Sequence, residues 1–453
     1  MQTVDRAEET ETPKPLQTAE QNVGLGRVLA NVFAALDRAN IPYCVLHGYE
    51  TYPQAIKSDV DFVVDAKVTP RRLCNLLHRE SESIGARIVR CRGYHIVLAL
   101  KDADGLPSLL TLDASLDCRV DDVVFYAGSE VLANRRRHRH FWVPSAAVEF
   151  GSYLTRSIAK GRLEDERTRR LSRIYDQDPA GCEQHVARWW TGRAADLIIS
   201  AAKSGDWRDV RQHLDALRTE LRKQAVRKSP LRFLASKVES FADRVRRVWR
   251  PDGLNVVFLG PDGAGKSAVI DAVGPLLAPA FARWTYGGFA PSPLQAVLRR
   301  PQGPTNQPHG LPPRSLPTSL IRAAYWLAYY MLGYVPMRLS LARSTLVLNH
   351  RGFVDILVDP KRYRYGGPSW LVRLIWRLIP KPDLIFLLDA PPEVLQTRKQ
   401  EVSFEETAHQ RGAYLSLMQE IKNGHVIDAA QPLDKVVRDV SDLILQRLSM
   451  RLA

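Results

Sequence analysis

Cysteine is scarce in this chain: five in 453 residues (Cys44, Cys74, Cys91, Cys118 and Cys182), an odd number with no C-x-x-C pair. That excludes a disulfide framework and a cysteine-based zinc site, and it suits a reducing cytoplasm. Long hydrophobic runs are also missing. One of the two longest uncharged stretches, residues 323–337, is closed off by Arg322 and Arg338 and falls short of the ~20 residues that a membrane span needs. It predicts a buried or interfacial helix instead. Residues 1–22 hold Glu, Thr and Pro without an apolar core, which predicts a disordered tail and no signal peptide. The expected location is cytoplasmic, with room for peripheral membrane contact. Internal repeats are absent. Acid is in the minority, 49 Asp and Glu against 64 Lys and Arg, a net charge of +15. Such a balance points to anionic partners: nucleotides, nucleic acid or an anionic membrane face. The run Arg135, Arg136, Arg137, His138, Arg139, His140 has no interleaved aromatics and no recognition motif, so it predicts a solvated turn and disfavours nucleic acid.

What is present is an ordinary globular composition, 45% hydrophobic and 25% charged, long enough for two or three domains. After the tail, residues 23–144 alternate helix and strand, with helices over 28–36 and 70–80 and strands over 44–47, 60–64, 96–100 and 109–113. Residues 145–250 read as nearly all helix. Their end, 228–250, mixes apolar and basic positions as an amphipathic helix does, either packed between domains or resting on anionic lipid. Residues 250–253 form a turn-rich hinge. From 251 to 453 strands and helices alternate as in a parallel sheet with crossover helices. Residues 291–317, with eight prolines, predict an irregular loop.

The strongest motif is Gly260-Pro261-Asp262-Gly263-Ala264-Gly265-Lys266-Ser267, a complete G-x-x-x-x-G-K-[ST] phosphate-binding loop. The apolar strand pattern 254–259 precedes it and a helical pattern follows. Glycines let the loop curl its N–H groups towards phosphate oxygens. Lys266 is placed to reach the β- and γ-phosphates and the Ser267 hydroxyl to ligate Mg²⁺. Binding of a nucleoside triphosphate, with ATP and Mg²⁺ as cofactors, follows as the expectation.

Beyond that loop, three further segments matter: 344–351, ending in Asn349-His350-Arg351; 382–393, Pro-Asp-Leu through Leu388-Asp389-Ala390-Pro391-Pro392-Glu393; and Thr397-Arg398-Lys399 with Arg411 and Tyr414 downstream. Together they resemble the thymidylate kinase family of P-loop nucleoside monophosphate kinases. Segments 351–360 and 362–368 are similar to divergent bacterial members found with surface-polysaccharide genes. The resemblance implies an ATP-dependent phosphotransferase whose acceptor is a nucleotide, a sugar or a lipid-linked glycan precursor. A thymidylate kinase proper, or an ATP-binding regulator without turnover, is the alternative. It implies that Asp262 contacts the acceptor and that Arg351 grips a phosphate. Arg398, Lys399 and Arg411 would be lid cations, with an exposed, solvated helix face as their other reading. The family's aspartate before the arginine is His350 here, with Asp355 or Asp359 as substitutes or as helix caps. A histidine beside magnesium predicts lost activity below about pH 6.5.

In the first domain, Gly48-Tyr49-Glu50 followed by Asp59-Val60-Asp61 resembles the nucleotidyltransferase superfamily, with tyrosine where that family has serine. Strand alternation puts Asp59 and Asp61 on one face. Asp113 is the third carboxylate of an expected divalent-metal site. The expected fold is therefore α/β: a small nucleotidyltransferase-like domain, a helical middle and a kinase-like parallel sheet. Its partners are a nucleotide, an unidentified acceptor, a membrane surface and a second copy in a homodimer.

Overall fold

The computed structural model describes residues 19–56, 59–102, 104–120, 123–228, 245–288, 311–400 and 402–452. Residues 1–18 of the expected tail, most of the amphipathic segment 228–250 and most of the proline-rich 291–317 lie outside them; residues 19–22, expected in the tail, instead open helix Ala19–Arg38.

The first domain is a five-stranded mixed sheet, ordered β1 (Tyr43–Val45), β2 (Val60–Val64), β5 (Pro107–Ser115), β4 (His95–Lys101), β3 (Arg87–Arg92). Only β2 and β5 run parallel; the other neighbours are antiparallel. The strands predicted from apolar alternation are all found, and β3 is additional. Its sequence Arg-Ile-Val-Arg-Cys-Arg hides the pattern behind three arginines. Alternation makes this sheet a wall shared three ways. Phe62, Val64, Ile96 and Leu98 enter the core beneath helix Ala19–Arg38. Cys44 and Val63 enter the helical core. Val89, Val97 and Ala99 enter the core of the C-terminal sheet.

The helical middle holds helices Ala146–Lys160, Asp165–Tyr175, Pro179–Ala187, Arg193–Ser204 and Leu214–Lys228. They close over a ribbon of β6 (Asp117–Val120) and β7 (Val123–Ala127). The basic run, expected as a solvated turn, instead forms β8 (Arg135–His138) paired with β9 (Phe141–Pro144). Arg135 and Arg137 lie against the Trp142 ring, and Arg137 binds Asp37 at 3.1 Å, so these cations cover the first domain.

The C-terminal sheet is wholly parallel, ordered β11 (Arg283–Gly287), β12 (Thr345–His350), β10 (Leu254–Leu259), β13 (Leu384–Asp389), β14 (Gly424–Asp428). Every residue of β10 is buried, as expected of a central strand covered on both faces. Helix Leu433–Met450 packs Val440, Ile444 and Leu445 into the same core as Val89, Val97 and Ala99, joining this sheet to the first domain. No helix among the described residues is long and apolar enough to cross a membrane.

Candidate functional site

At the C-terminal end of β10 the chain leaves the sheet through the phosphate-loop glycines and enters helix Lys266–Leu277. Two glycines are required by space as well as by torsion. Gly260 has φ +138°, and a Cβ there would lie 2.7 Å from the Leu388 carbonyl oxygen. Gly263 has φ +84°, and its Cβ would lie 2.6 Å from the Leu395 carbonyl. The loop is thus pressed against β13 and against helix Pro392–Arg398.

Lys266 is buried, and its Nζ donates to the carbonyls of Gly260 and Pro261, both at 2.7 Å. Burial, then the charge of Arg351, lower its pKa to about 7 against the opposing pull of Asp262 and Asp355. A buried amine hydrogen-bonded to carbonyls, its charge opposed by burial and by Arg351, fits a triphosphate, whose negative charge favours the ammonium. Ser267 is the next residue, at the helix's positive end, where its hydroxyl would face a magnesium ion. Magnesium would there neutralise phosphate charge.

Across the loop, Asp262 is gripped from two sides. Arg351 donates to it at 2.5 Å, and Arg362 makes a second, very short ion pair. Arg351 follows β12 with φ +83°, a left-handed conformation unusual for a side chain with a Cβ. Its backbone N–H bonds the Phe258 carbonyl at 3.0 Å, and Asp355 secures the turn beyond it. Asp355 is fully buried; it accepts from the Gly352 N–H at 2.5 Å and from the Tyr414 hydroxyl, and it lies 3.7 Å from Arg351. Asp359 binds the backbone N–H and Nε of Arg362, with Gln410 at 3.3 Å. Both aspartates therefore orient the arginines that hold Asp262. His350 stacks on Tyr286 with ring centroids 6.4 Å apart. Burial, then Lys266 and Arg351, hold its pKa down at about 3. The expected loss of activity below pH 6.5 therefore has no basis in His350, which stays neutral through that range.

The lid cations separate. The Lys399 backbone sits at the loop, its Cβ 3.5 Å from where a Gly263 Cβ would be. Arg398 donates to the Ala429 carbonyl at 2.8 Å. Arg411 forms a bidentate pair with Asp389, at 2.7 and 2.9 Å, which ties helix Phe404–Glu420 to the end of β13. Arg362, paired with Asp262, was not among the expected site residues. Its one signal was membership of the arginine- and tyrosine-rich segment 362–368, which says nothing about reach.

The first-domain carboxylates form a different arrangement from the one expected. Asp61 and Asp113 are register partners on β2 and β5. Asp61 pairs with His47 at 3.1 Å and with Arg156 at 3.4 Å, and Asp113 with His95 at 2.5 Å. Burial works to raise the Asp61 carboxyl, but His47 and Arg156 outweigh it and hold its pKa below the ordinary carboxylate value. Among the described residues, no group of three or more His, Cys, Asp or Glu is placed to hold a metal ion, so Asp59, Asp61 and Asp113 do not assemble as one ligand set. Tyr49, in the place of the family serine, is buried and donates to Glu149 of the helical middle. Asp61 and Asp113 line a cleft of about 1490 Å³ that also takes in Asn255 at the start of β10. The phosphate loop leaves the other end of that strand, five residues and ~17 Å away at ~3.3 Å per residue, so the two places are separate.

A parallel sheet of this order, with a phosphate loop on its central strand and arginines facing the loop, is consistent with a P-loop kinase. A thymidylate kinase of Leuconostoc citreum (strain KM20) is 26% identical to the chain over 220 residues, covering 44% of this chain and 97% of that protein. This distant similarity supports a thymidylate-kinase-like P-loop kinase and leaves more than half of the chain uncovered. No family model matches the chain.

Proposed function

We propose that this protein is an ATP-dependent phosphotransferase. The observation that carries the reading is the Arg351–Asp262–Arg362 bridge facing the phosphate loop, a carboxylate and two guanidiniums opposite a buried lysine. The loop residues Gly260 to Ser267 hold the triphosphate, with Lys266 at its β- and γ-phosphates and Ser267 towards magnesium. Arg351 and Arg362 bind the acceptor side, because a planar guanidinium grips two phosphate oxygens at once. Lys399, at the loop, and Arg398 neutralise charge as the γ-phosphoryl moves. Asp262 contacts the acceptor once that acceptor separates it from its arginines.

The acceptor proposed is a nucleotide, a sugar or a lipid-linked glycan precursor. The glycan members rest on the likeness of segments 351–360 and 362–368 to the divergent bacterial kinases. Phosphorylation of thymidylate itself is the second reading, favoured by the similarity to the Leuconostoc citreum protein. The first domain, whose Asp61 is already occupied by His47 and Arg156, is proposed to recruit substrate rather than transfer nucleotides.

The deciding experiment is transfer of labelled γ-phosphate from ATP across nucleoside monophosphates, sugars and glycolipids, with Lys266→Ala as control. Transfer to one class, lost in the variant, is the expected result. Fast, selective labelling of thymidylate selects the second reading. Tight ATP binding with no transfer to any acceptor makes the protein a regulator.

A further inference from the structure

Helix Leu316–Ala342 packs one side inward, burying Ala323, Trp326, Gly333 and Leu341, with Trp326 against Phe353 and Tyr365. Its opposite side is apolar too. Leu320, Ile321, Tyr325, Leu332, Val335 and Leu339 are all exposed, Ile321 to 71% and Leu332 to 62%. At ~100° per residue these six positions fall within one half of the helix circumference. Helix Ser369–Leu378 packs beside it and adds Trp370, Leu374 and Leu378, one turn apart and exposed. Arg338 donates to the carbonyls of Val248 and Trp249, which sets the 78%-exposed Trp249 at the same edge. The result is a wide apolar surface rimmed by tryptophan, of a size that marks an interaction site.

Its charge identifies the partner. Helices Leu316–Ala342 and Ser369–Leu378 contain Arg322, Arg338, Arg373 and Arg377 and no Asp or Glu. Arg377 is exposed on the second helix and Arg343 directly after the end of the first. A second copy docked here by two-fold symmetry would set arginine against arginine, with no carboxylate in either helix to pair them and with the neighbouring Glu420 already bound to Arg373 at 2.5 Å. Anionic headgroups supply that counter-charge, and apolar side chains with flanking Trp and Arg suit the headgroup–acyl boundary. We infer that the face formed by helices Leu316–Ala342 and Ser369–Leu378 rests on an anionic lipid bilayer.

The test is co-sedimentation of the full-length protein, without nucleotide, with vesicles of phosphatidylcholine alone or with about one third phosphatidylglycerol. Retention by the anionic vesicles is expected, falling at least about tenfold in the double variant Ile321→Glu, Leu332→Glu and also at high salt. Both positions are exposed, and an unchanged circular-dichroism spectrum and urea midpoint show that the variant folds. No retention, equal retention on neutral vesicles, or full retention of the variant overturns the inference. So does a concentration-dependent dimer in light scattering that the variant abolishes while vesicles retain neither protein. Because ATP plays no part in this measurement, its failure leaves the phosphotransferase reading standing.

Discussion

Burial lowers the Lys266 pKa to about 7, so at pH 8 most of the amine is neutral. A triphosphate favours the ammonium, so the pKa rises in the complex and a proton is taken up on binding. Titration calorimetry at pH 8 in Tris and in HEPES should give enthalpies that differ in proportion to about one proton bound. Affinity should fall as pH rises from 7. Identical enthalpies in the two buffers would mean that the loop lysine is already charged. His350 follows the opposite logic. Its folded pKa is about 3, below the unfolded value near 6.5, so between those values the unfolded chain binds the extra proton. Stability therefore rises with pH through that window and drops as pH falls below about 6.5. At pH 5 the loss reaches up to about 2 kcal/mol. His350→Gln should flatten the acid limb of denaturant-derived stability, and an unchanged limb would assign it to other groups.

At the scale of elements, the short helix Asp355–Val358 acts through its first residue. Asp355 satisfies the Gly352 N–H and the Tyr414 hydroxyl inside the protein. Asp355→Ala leaves both without that acceptor and should cost about 2–4 kcal/mol, read as a lower urea midpoint. Arg351 would also lose its neighbour, so ATP-dependent turnover should fall further than ATP binding. The phosphate loop has its own steric limit: Gly263→Ala meets the Leu395 carbonyl and a positive φ together. It should cost about 1–3 kcal/mol and weaken ATP binding; wild-type affinity in that variant would show that the loop yields freely. The loop and the strand 384–389 were readable in the sequence because each is a contiguous pattern bounded by glycine or proline. The Arg362–Asp262 pair joins residues one hundred positions apart, and β3 conceals a core strand under arginines. Chain separation and mixed polarity defeat local pattern reading in these two places.

At the scale of the whole molecule, the first domain and the kinase-like sheet share one core through Val89, Val97, Ala99 and helix Leu433–Met450. Asp442 on that helix binds Lys101 at 2.6 Å and Arg87 at 3.7 Å across the same contact. Val97→Asp buries a charge there and should lower one common melting transition, seen alike by probes in either half. Two transitions, with only one displaced, would show that the halves unfold independently. The sequence reading marked these as separate domains, and nothing in local periodicity could reveal that the outward face of β4 is a face of the C-terminal core.

That shared wall also dictates an order of events during synthesis. Val97 leaves the ribosome more than three hundred residues ahead of the helix that covers it. For that interval β3 and β4 present an apolar strip to solvent, and loop closure over such a span is slow. The first domain therefore cannot bury that strip until helix Leu433–Met450 has been synthesised.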